Sequence, residues 1–350
     1  MYYVNENIKD LYRVKFHDER EHVLRLDMNE NPQGLPREVF DVVMSKITPE
    51  YIATYPMKDR LIERIAEHNE IAFENISVTA GSDEAMRLIF QCYAESGKQL
   101  VTVTPTYEMY GVYANMYGMR HIMVEYRDDF TVDVDDILSV IDDETGIVIL
   151  LNPNSPIGFT YDEEDIRRII ARTQEVGAIV VVDEAYHYFY APTCMPMIKE
   201  YDNLLVLRTF SKLFSMAGLR IGYVAGAAQL IDYVEKAEST FNVNNIALLF
   251  AMEVLEQPHL IEQLIKIERE GREWLVEQLE AAGYRYCSME GNYVLFYPKK
   301  QSGEIVNALK EENIWIRDYG RGILKGWLRV STGSKECMKT FWEAFVKIDG

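Results

Sequence analysis

The chain has 350 residues, 48 % of them hydrophobic and 26 % charged, which suits one large domain accompanied by a smaller one. Its formal net charge of −20 argues against nucleic acid or an anionic membrane surface as a partner, since both need clustered Lys and Arg. Cysteines at 92, 194, 287 and 337 form no C-x-x-C pair, so neither a disulfide framework nor a bound metal is expected, and a reducing, cytoplasmic setting is.

Residues 1–21 are polar and mixed in charge, without the apolar core of a secretory signal, and no run of about 18 apolar residues signals a membrane span. The first 30 residues look irregular up to Leu24-Arg25-Leu26, which leads into the Asn-, Pro- and Gly-rich loop Asp27–Gly34. Helices are expected over 36–45 and 59–69, separated by a loop at Thr54-Tyr55-Pro56. Strands then alternate with helices: Ile76–Thr79, helix 85–94, Leu100–Val103, a Tyr/Met-rich helical stretch, Ile147–Leu151, helix 163–175, Ile179–Val182, Leu204–Leu207 and Tyr223–Ala225. The β-branched runs among them are of the kind buried on both faces. The pattern predicts an α/β fold, a mostly parallel sheet with helices on both faces. Beyond 227 come helices over 227–238, 244–256 and 259–282, a strand 293–297, a helix 303–311, strands 314–317 and 328–331, and a final helix 335–347. We expect a large domain over 36–240 and a smaller α+β domain from 1–35 and 241–350.

Ligands of open α/β sheets bind at the carboxyl ends of the strands. Gly81-Ser82-Asp83, after the first strand of the alternating region, offers either a phosphate cradle at a helix N-terminus or a plain helix cap. Tyr107, after the second, is either a plate for a planar ring or a core aromatic. Asn152–Gly158 is an amide-rich turn. Asp183 closes a buried apolar run, where a carboxylate needs a cation, a helix N-terminus or an ion-pair partner. Lys212, flanked by Thr209, Ser211 and Arg220, is a candidate Schiff-base amine beside donors for a phosphate. Together these five strand ends match the needs of pyridoxal 5'-phosphate (PLP). No G-x-G-x-x-G follows the first strand of the alternating region, which argues against a nicotinamide enzyme.

The segments Asn29–Pro32, Tyr55-Pro56, Gly81–Glu84, Pro105–Tyr107, Asn152–Gly158, Val182–Tyr186, Arg208–Tyr223 and Leu328–Val330 come in the order found in fold-type I, class I/II aminotransferases. The chain resembles that family, and within it the histidinol-phosphate aminotransferases. The resemblance implies that Lys212 holds PLP and shuttles the substrate proton, that Asp183 pairs with the ring nitrogen, and that Tyr186 hydrogen-bonds the phenolic oxygen. It also implies that Tyr107 stacks on the ring, and that Ser82, Asp83, Ser211 and Arg220, with Thr209 nearby, hold the phosphate. Arg329 would bind the α-carboxylate and Arg317 a substrate phosphate, with Tyr12 and Asn31 also at the substrate. Tyr55 would reach the partner's cofactor across a homodimer with shared active sites. The expected reaction moves an amino group between a phosphorylated amino alcohol, or its keto partner, and glutamate or 2-oxoglutarate. Decarboxylation of a phosphorylated amino acid is the alternative.

Two departures stand out. Where the family has Asn before the Pro of N-P-x-G, this chain has Ser155, preceded by Asn154. Either Ser155 or Asn154 is expected to take over that contact. The Pro-Tyr-x-Pro-Gly pattern common near the N-terminus is replaced by Leu11-Tyr12-Arg13-Val14-Lys15.

Overall fold

Thirteen short strands organise the chain in the computed structural model, which describes residues 2–12 and 19–350. Positions 13–15 of the N-terminal pattern lie outside the described residues. In chain order the strands are β1 (Leu24–Arg25), β2 (Ile76–Thr79), β3 (Gln99–Thr104), β4 (Arg120–Glu125), β5 (Thr145–Leu151), β6 (Ile179–Asp183) and β7 (Leu204–Thr209). Then follow β8 (Gly222–Gly226), β9 (Arg285–Cys287), β10 (Tyr293–Tyr297), β11 (Ile314–Trp315), β12 (Arg317–Asp318) and β13 (Leu328–Ser331).

The principal sheet has the order β2-β8-β7-β6-β5-β3-β4, and only β8 runs antiparallel to its neighbours. Its central strands β5, β6 and β7 are buried almost throughout, as their unbroken apolar runs require. Helices cover it with apolar stripes. In Glu163–Glu175 the buried residues are Ile166, Ile169, Ile170 and Thr173, and the Asp162 side chain accepts from the Asp165 N–H at 2.8 Å to cap its start. The edge strand β4 escaped the sequence reading because Arg120, His121 and Glu125 interrupt its apolar run, and an edge strand is half solvated.

A second, four-stranded antiparallel sheet, β12-β13-β10-β9, packs on the helices Ser302–Glu311 and Lys335–Asp349. Its core joins Leu26, Leu275, Leu279, Phe296, Leu309, Phe341 and Phe345. The expected strand 314–317 is two strands, because β11 pairs with β1 while β12 pairs with β13. The helix Asn245–Leu255 and the start of Pro258–Ala281 bury Ala247, Phe250, Leu260 and Leu264 in the core of the principal sheet. The change of packing thus falls within Pro258–Ala281 rather than near residue 240.

The stretch after β1 runs between the two cores. Leu26 belongs to the second core, its carbonyl accepts from the Ser331 N–H at 2.8 Å, and Met28 and Asn29 continue over the ends of β6 and β7.

Candidate active site

The site gathers at the carboxyl ends of β5, β6 and β7. Asp183 ends β6 and is buried. Its Oδ2 accepts from the Tyr110 hydroxyl at 2.9 Å and its Oδ1 from the Ala185 N–H at 3.0 Å. Burial pushes its pKa up to about 6, partly offset by the Tyr110 and Ala185 donors and by the Lys212 ammonium. Just behind it, Glu184 accepts from Arg208 Nε at 2.9 Å and from the Cys194 N–H at 2.6 Å, which anchors the turn carrying Asp183 and Tyr186.

β7 ends at Thr209, and the loop after it presents Lys212. Lys212 Nζ donates to the Met28 carbonyl at 3.0 Å and sits 5.6 Å from the Tyr186 ring centroid. Thr209 Oγ1 donates to Ser211 Oγ at 3.0 Å and accepts from the Ser211 N–H at 3.1 Å. Thr209 therefore sets the orientation of Ser211.

Across from that loop lies the start of the helix Ser82–Tyr93. Gly81 precedes it at φ +83° and no side chain caps it, which leaves its first-turn N–H groups without a capping acceptor, as an anion site requires. Backbone packing draws β8 onto this turn. A Cβ on Gly222 would stand 2.8 Å from the Ser82 nitrogen, and one on Gly81 would stand 2.7 Å from Arg220 Nη2. Ser82 and Arg220 are thereby neighbours although 138 positions separate them in the chain (220 − 82). Asp83 accepts from the Tyr113 hydroxyl through its Oδ1 at 3.1 Å and its carbonyl at 3.2 Å, which fixes the turn that carries it.

Tyr186 and Ser155 face a residue that sequence reading passed over. Asn29 Nδ2 donates to the Tyr186 hydroxyl at 2.7 Å and lies 3.3 Å from Ser155 Oγ. Ser155 Oγ also accepts from Arg329 Nη1 at 3.3 Å. The Asn154 carboxamide points elsewhere: Oδ1 accepts from Thr106 Oγ1 at 2.6 Å, and Nδ2 donates to the Pro105 carbonyl at 2.9 Å. Of the two positions left open above, Ser155 faces the site and Asn154 braces the loop before Tyr107. Tyr107 is 44 % exposed, edge-on to Tyr110 with centroids 5.5 Å apart, so one ring face is open.

Arg329 is buried between Tyr293 and Tyr319, and its Nη1 donates to the Tyr319 hydroxyl at 2.6 Å. Its Nε is buried with no hydrogen-bond partner among the described residues. Such a donor is costly unless a ligand completes it. Arg317 also lies over the Tyr319 ring, 5.7 Å from its centroid, and 3.9 Å from Glu108 Oε2. Glu108 also pairs with Arg321. Tyr107, Tyr319, Glu108 and Arg321 border a cavity of about 460 Å³.

Two expected residues stand apart, and a third braces the loop of Lys212. Tyr12 is 81 % exposed. Tyr55 is exposed too, its ring stacked on Phe241 at 4.3 Å. Asn31 donates to the Leu213 carbonyl at 3.1 Å, tying down the loop that carries Lys212. Besides Asn29, sequence reading missed Tyr110 and Tyr319. Tyr110 was legible in principle, since it stands in the first turn of the Tyr/Met-rich helix that follows Tyr107. Among the described residues no cluster of three His, Cys, Asp or Glu could hold a metal, and no helix is long and apolar enough to cross a membrane.

The family description "Aminotransferase class I and II" matches residues 21–345. A histidinol-phosphate aminotransferase of Thermoanaerobacter sp. (strain X514) is 33 % identical over 337 residues, covering 95 % of each chain. That of Clostridium botulinum (strain Hall) is 29 % identical, covering 93 % of this chain and 92 % of the relative. Among solved structures, the histidinol-phosphate aminotransferase of Clostridium acetobutylicum superposes with a TM-score of 0.84 at 22 % identity, covering 93 % of this chain and 99 % of that one. The Sinorhizobium meliloti enzyme in complex with pyridoxal-5'-phosphate gives 0.83 at 24 %, covering 93 % and 90 %. These two likenesses concern the fold, and the sequence match concerns the family. The chain belongs to the class I and II aminotransferases and is a PLP-dependent transaminase.

Proposed function

We propose that this transaminase moves an amino group from a phosphorylated amino alcohol, with histidinol phosphate the first substrate to test, to 2-oxoglutarate. The buried Arg329 with its unpartnered Nε carries the reading: it calls for a planar anion such as an α-carboxylate, which a guanidinium grips through two N–H groups. The 33 % identity over 95 % of the chain to a histidinol-phosphate aminotransferase supports the substrate class.

The residues present fit PLP. The Gly81 turn, which a Cβ would fill, leaves room for a phosphate between the Ser82 and Asp83 N–H groups, Ser82, Ser211 and Arg220. Asp183, held up at about 6 by burial, is a carboxylate short of a cation, and a protonated ring nitrogen supplies one. When bound, the cofactor supplies a conjugated sink for the electron pair left on the substrate Cα after its proton is removed. Lys212 anchors the cofactor through its amine and, once released, takes and returns that Cα proton. Asp183 keeps the ring nitrogen protonated, with Tyr110 and Ala185 fixing its orientation. Tyr186 donates to the phenolic oxygen, Tyr107 covers one face, and Thr209 orients Ser211. Arg329 holds the α-carboxylate of glutamate or 2-oxoglutarate, and Arg317, freed from Glu108, holds the phosphate of the amino alcohol.

We place Tyr55 at the interface of a homodimer with shared sites. Ile52, Tyr55 and Met57, all more than 60 % exposed, make an apolar surface around it. Four cysteines without a disulfide suit a cytoplasmic setting.

The deciding experiment incubates the cofactor-loaded protein with histidinol phosphate, O-phosphoserine or O-phosphothreonine plus 2-oxoglutarate, and measures glutamate and CO2. Glutamate formed with histidinol phosphate and no CO2 supports the reading. CO2 release without glutamate overturns it.

A further inference from the structure

The position before Pro156 holds Ser155, too short to place a carboxamide in the site, and the Asn154 carboxamide is fully engaged by Pro105 and Thr106. A carboxamide is nevertheless present. It comes from Asn29, 126 positions earlier, whose Nδ2 lies 2.7 Å from the Tyr186 hydroxyl and 3.3 Å from Ser155 Oγ.

Asn29 is held on every side. It is 1 % exposed with φ +55°, a left-handed conformation that Asn tolerates better than most residues. Its N–H donates to Ser331 Oγ at 2.9 Å, and its carbonyl accepts from Asn292 Nδ2 at 3.1 Å. Its Oδ1 lies 3.1 Å from Ser331 Oγ, whose single proton is shared with the Leu26 carbonyl at 3.0 Å, and its Nδ2 faces Tyr186. An N–H aimed at the Tyr186 oxygen occupies a lone pair of that hydroxyl. The Tyr186 proton must then point away from Asn29, and the polarised O–H becomes a stronger donor.

We propose that Asn29 is a positioning residue: donating to the Tyr186 hydroxyl, it aims the Tyr186 proton at the cofactor's phenolic oxygen and strengthens that hydrogen bond. Ser155 completes the arrangement as a small acceptor shared by Asn29 and Arg329. A carboxamide delivered by the N-terminal stretch, which also supplies the Met28 carbonyl to Lys212, ties that stretch to the cofactor site through Tyr186.

This rests on the reading of Tyr186 given above, and the experiment separates the two. Each donor to the phenolic oxygen makes it a weaker base, so it holds the proton it shares with the Lys212–cofactor linkage less firmly. Losing a donor raises the pH at which the visible absorbance of the cofactor-loaded protein titrates. Tyr186→Phe tests the reading of Tyr186 by itself. Asn29→Gly, which the positive φ accommodates, removes the amide, and Asn29→Ser serves if the glycine variant does not fold by thermal unfolding without cofactor. We expect Asn29→Gly to raise the midpoint by about half to one pH unit. In the Tyr186→Phe background the same substitution should add almost nothing, because Asn29 acts through Tyr186. An unchanged midpoint in both Asn29 variants, or a shift that persists in full without the Tyr186 hydroxyl, overturns the proposal. If Tyr186→Phe moves nothing, the reading of Tyr186 falls and the proposal with it.

Discussion

Arg220 lies over Gly81 so closely that a Cβ there would stand 2.7 Å from its Nη2. The turn also holds Gly81 at φ +83°, so two demands meet on one residue. Gly81→Ala should push Arg220 away from the Ser82 turn and lower PLP affinity at least about tenfold, since one displaced charge-assisted contact is worth about 1.5–3 kcal/mol. Gly97→Ala is the control: its φ is +89° but nothing lies within 4 Å of its Cβ, so it carries the backbone strain without the clash. Cofactor titration of both variants checks this. Equal affinities would show that the Arg220 contact does not matter.

Asp183 sets the acid limit of cofactor binding. Burial holds its pKa near 6 even beside Lys212, and a cationic ring nitrogen favours the ionised form further, so binding below pH 6 expels a proton. Affinity should therefore fall by about tenfold per pH unit as pH drops below 6. The Tyr110 hydroxyl holds that carboxylate ionised. Tyr110→Phe should accordingly move the onset of the fall to higher pH. Equilibrium dialysis between pH 4.5 and 8 reads both effects.

Glu268 is a buried carboxyl pushed up to about 6, chiefly by burial, with Arg272 and a hydrogen bond from Thr332 partly offsetting it. A raised carboxyl pKa contributes stability below its unfolded value, and this is lost as pH rises through the folded value. The window here runs from about 4.5 to about 6. Glu268→Gln keeps a hydrogen-bonding group and removes the buried charge. It should gain about 1–2 kcal/mol over the native protein above pH 6 and little below pH 4.5. Urea unfolding at pH 4 and pH 7.5 measures the difference.

Glu108 pairs with Arg317 and Arg321 at the mouth of the site. A substrate phosphate must compete with it for Arg317. Glu108→Gln should lower KM for a phosphorylated substrate by about two- to fivefold, given the modest strength of exposed pairs. KM for glutamate should stay where it is, and the gain should shrink in 0.5 M salt. Arg317→Ala should raise KM for the phosphorylated substrate only. Steady-state kinetics with both substrates tests the pair, and a change confined to glutamate would move the phosphate site elsewhere.

Much of the scaffold was legible before any coordinates. The unbroken apolar runs of β5, β6 and β7, short and set between turns, read as buried strands, and a helix such as Glu163–Glu175 announces itself by an Asp cap and Ile at i, i+3 and i+4. Lys212, Asp183, Ser82 and Arg220 were legible as candidates for a similar reason, because each lies at a strand end or in the loop beyond one, and strand ends in a parallel sheet face one crevice. What periodicity could not show was β4, whose exposed edge breaks the apolar pattern, or the split of 314–317 between two sheets.

The sequence by itself determined the family, the cofactor and the strand ends that meet, because these depend on residue types at short range around each strand. Only the tertiary structure decided which carboxamide reaches Tyr186 and which arginine donor is left without a partner. Asn29 comes from a stretch with no periodicity of its own, brought in by pairing with β11 and by Ser331. The free Nε of Arg329 is visible only once Ser155 and Tyr319 have taken its Nη1 donors and the Asp27 carbonyl one donor of Nη2, which leaves the Nε–H beside a second Nη2–H. Local pattern specifies what a strand end offers, whereas hydrogen-bond accounting across 126 or 302 positions requires the packed chain.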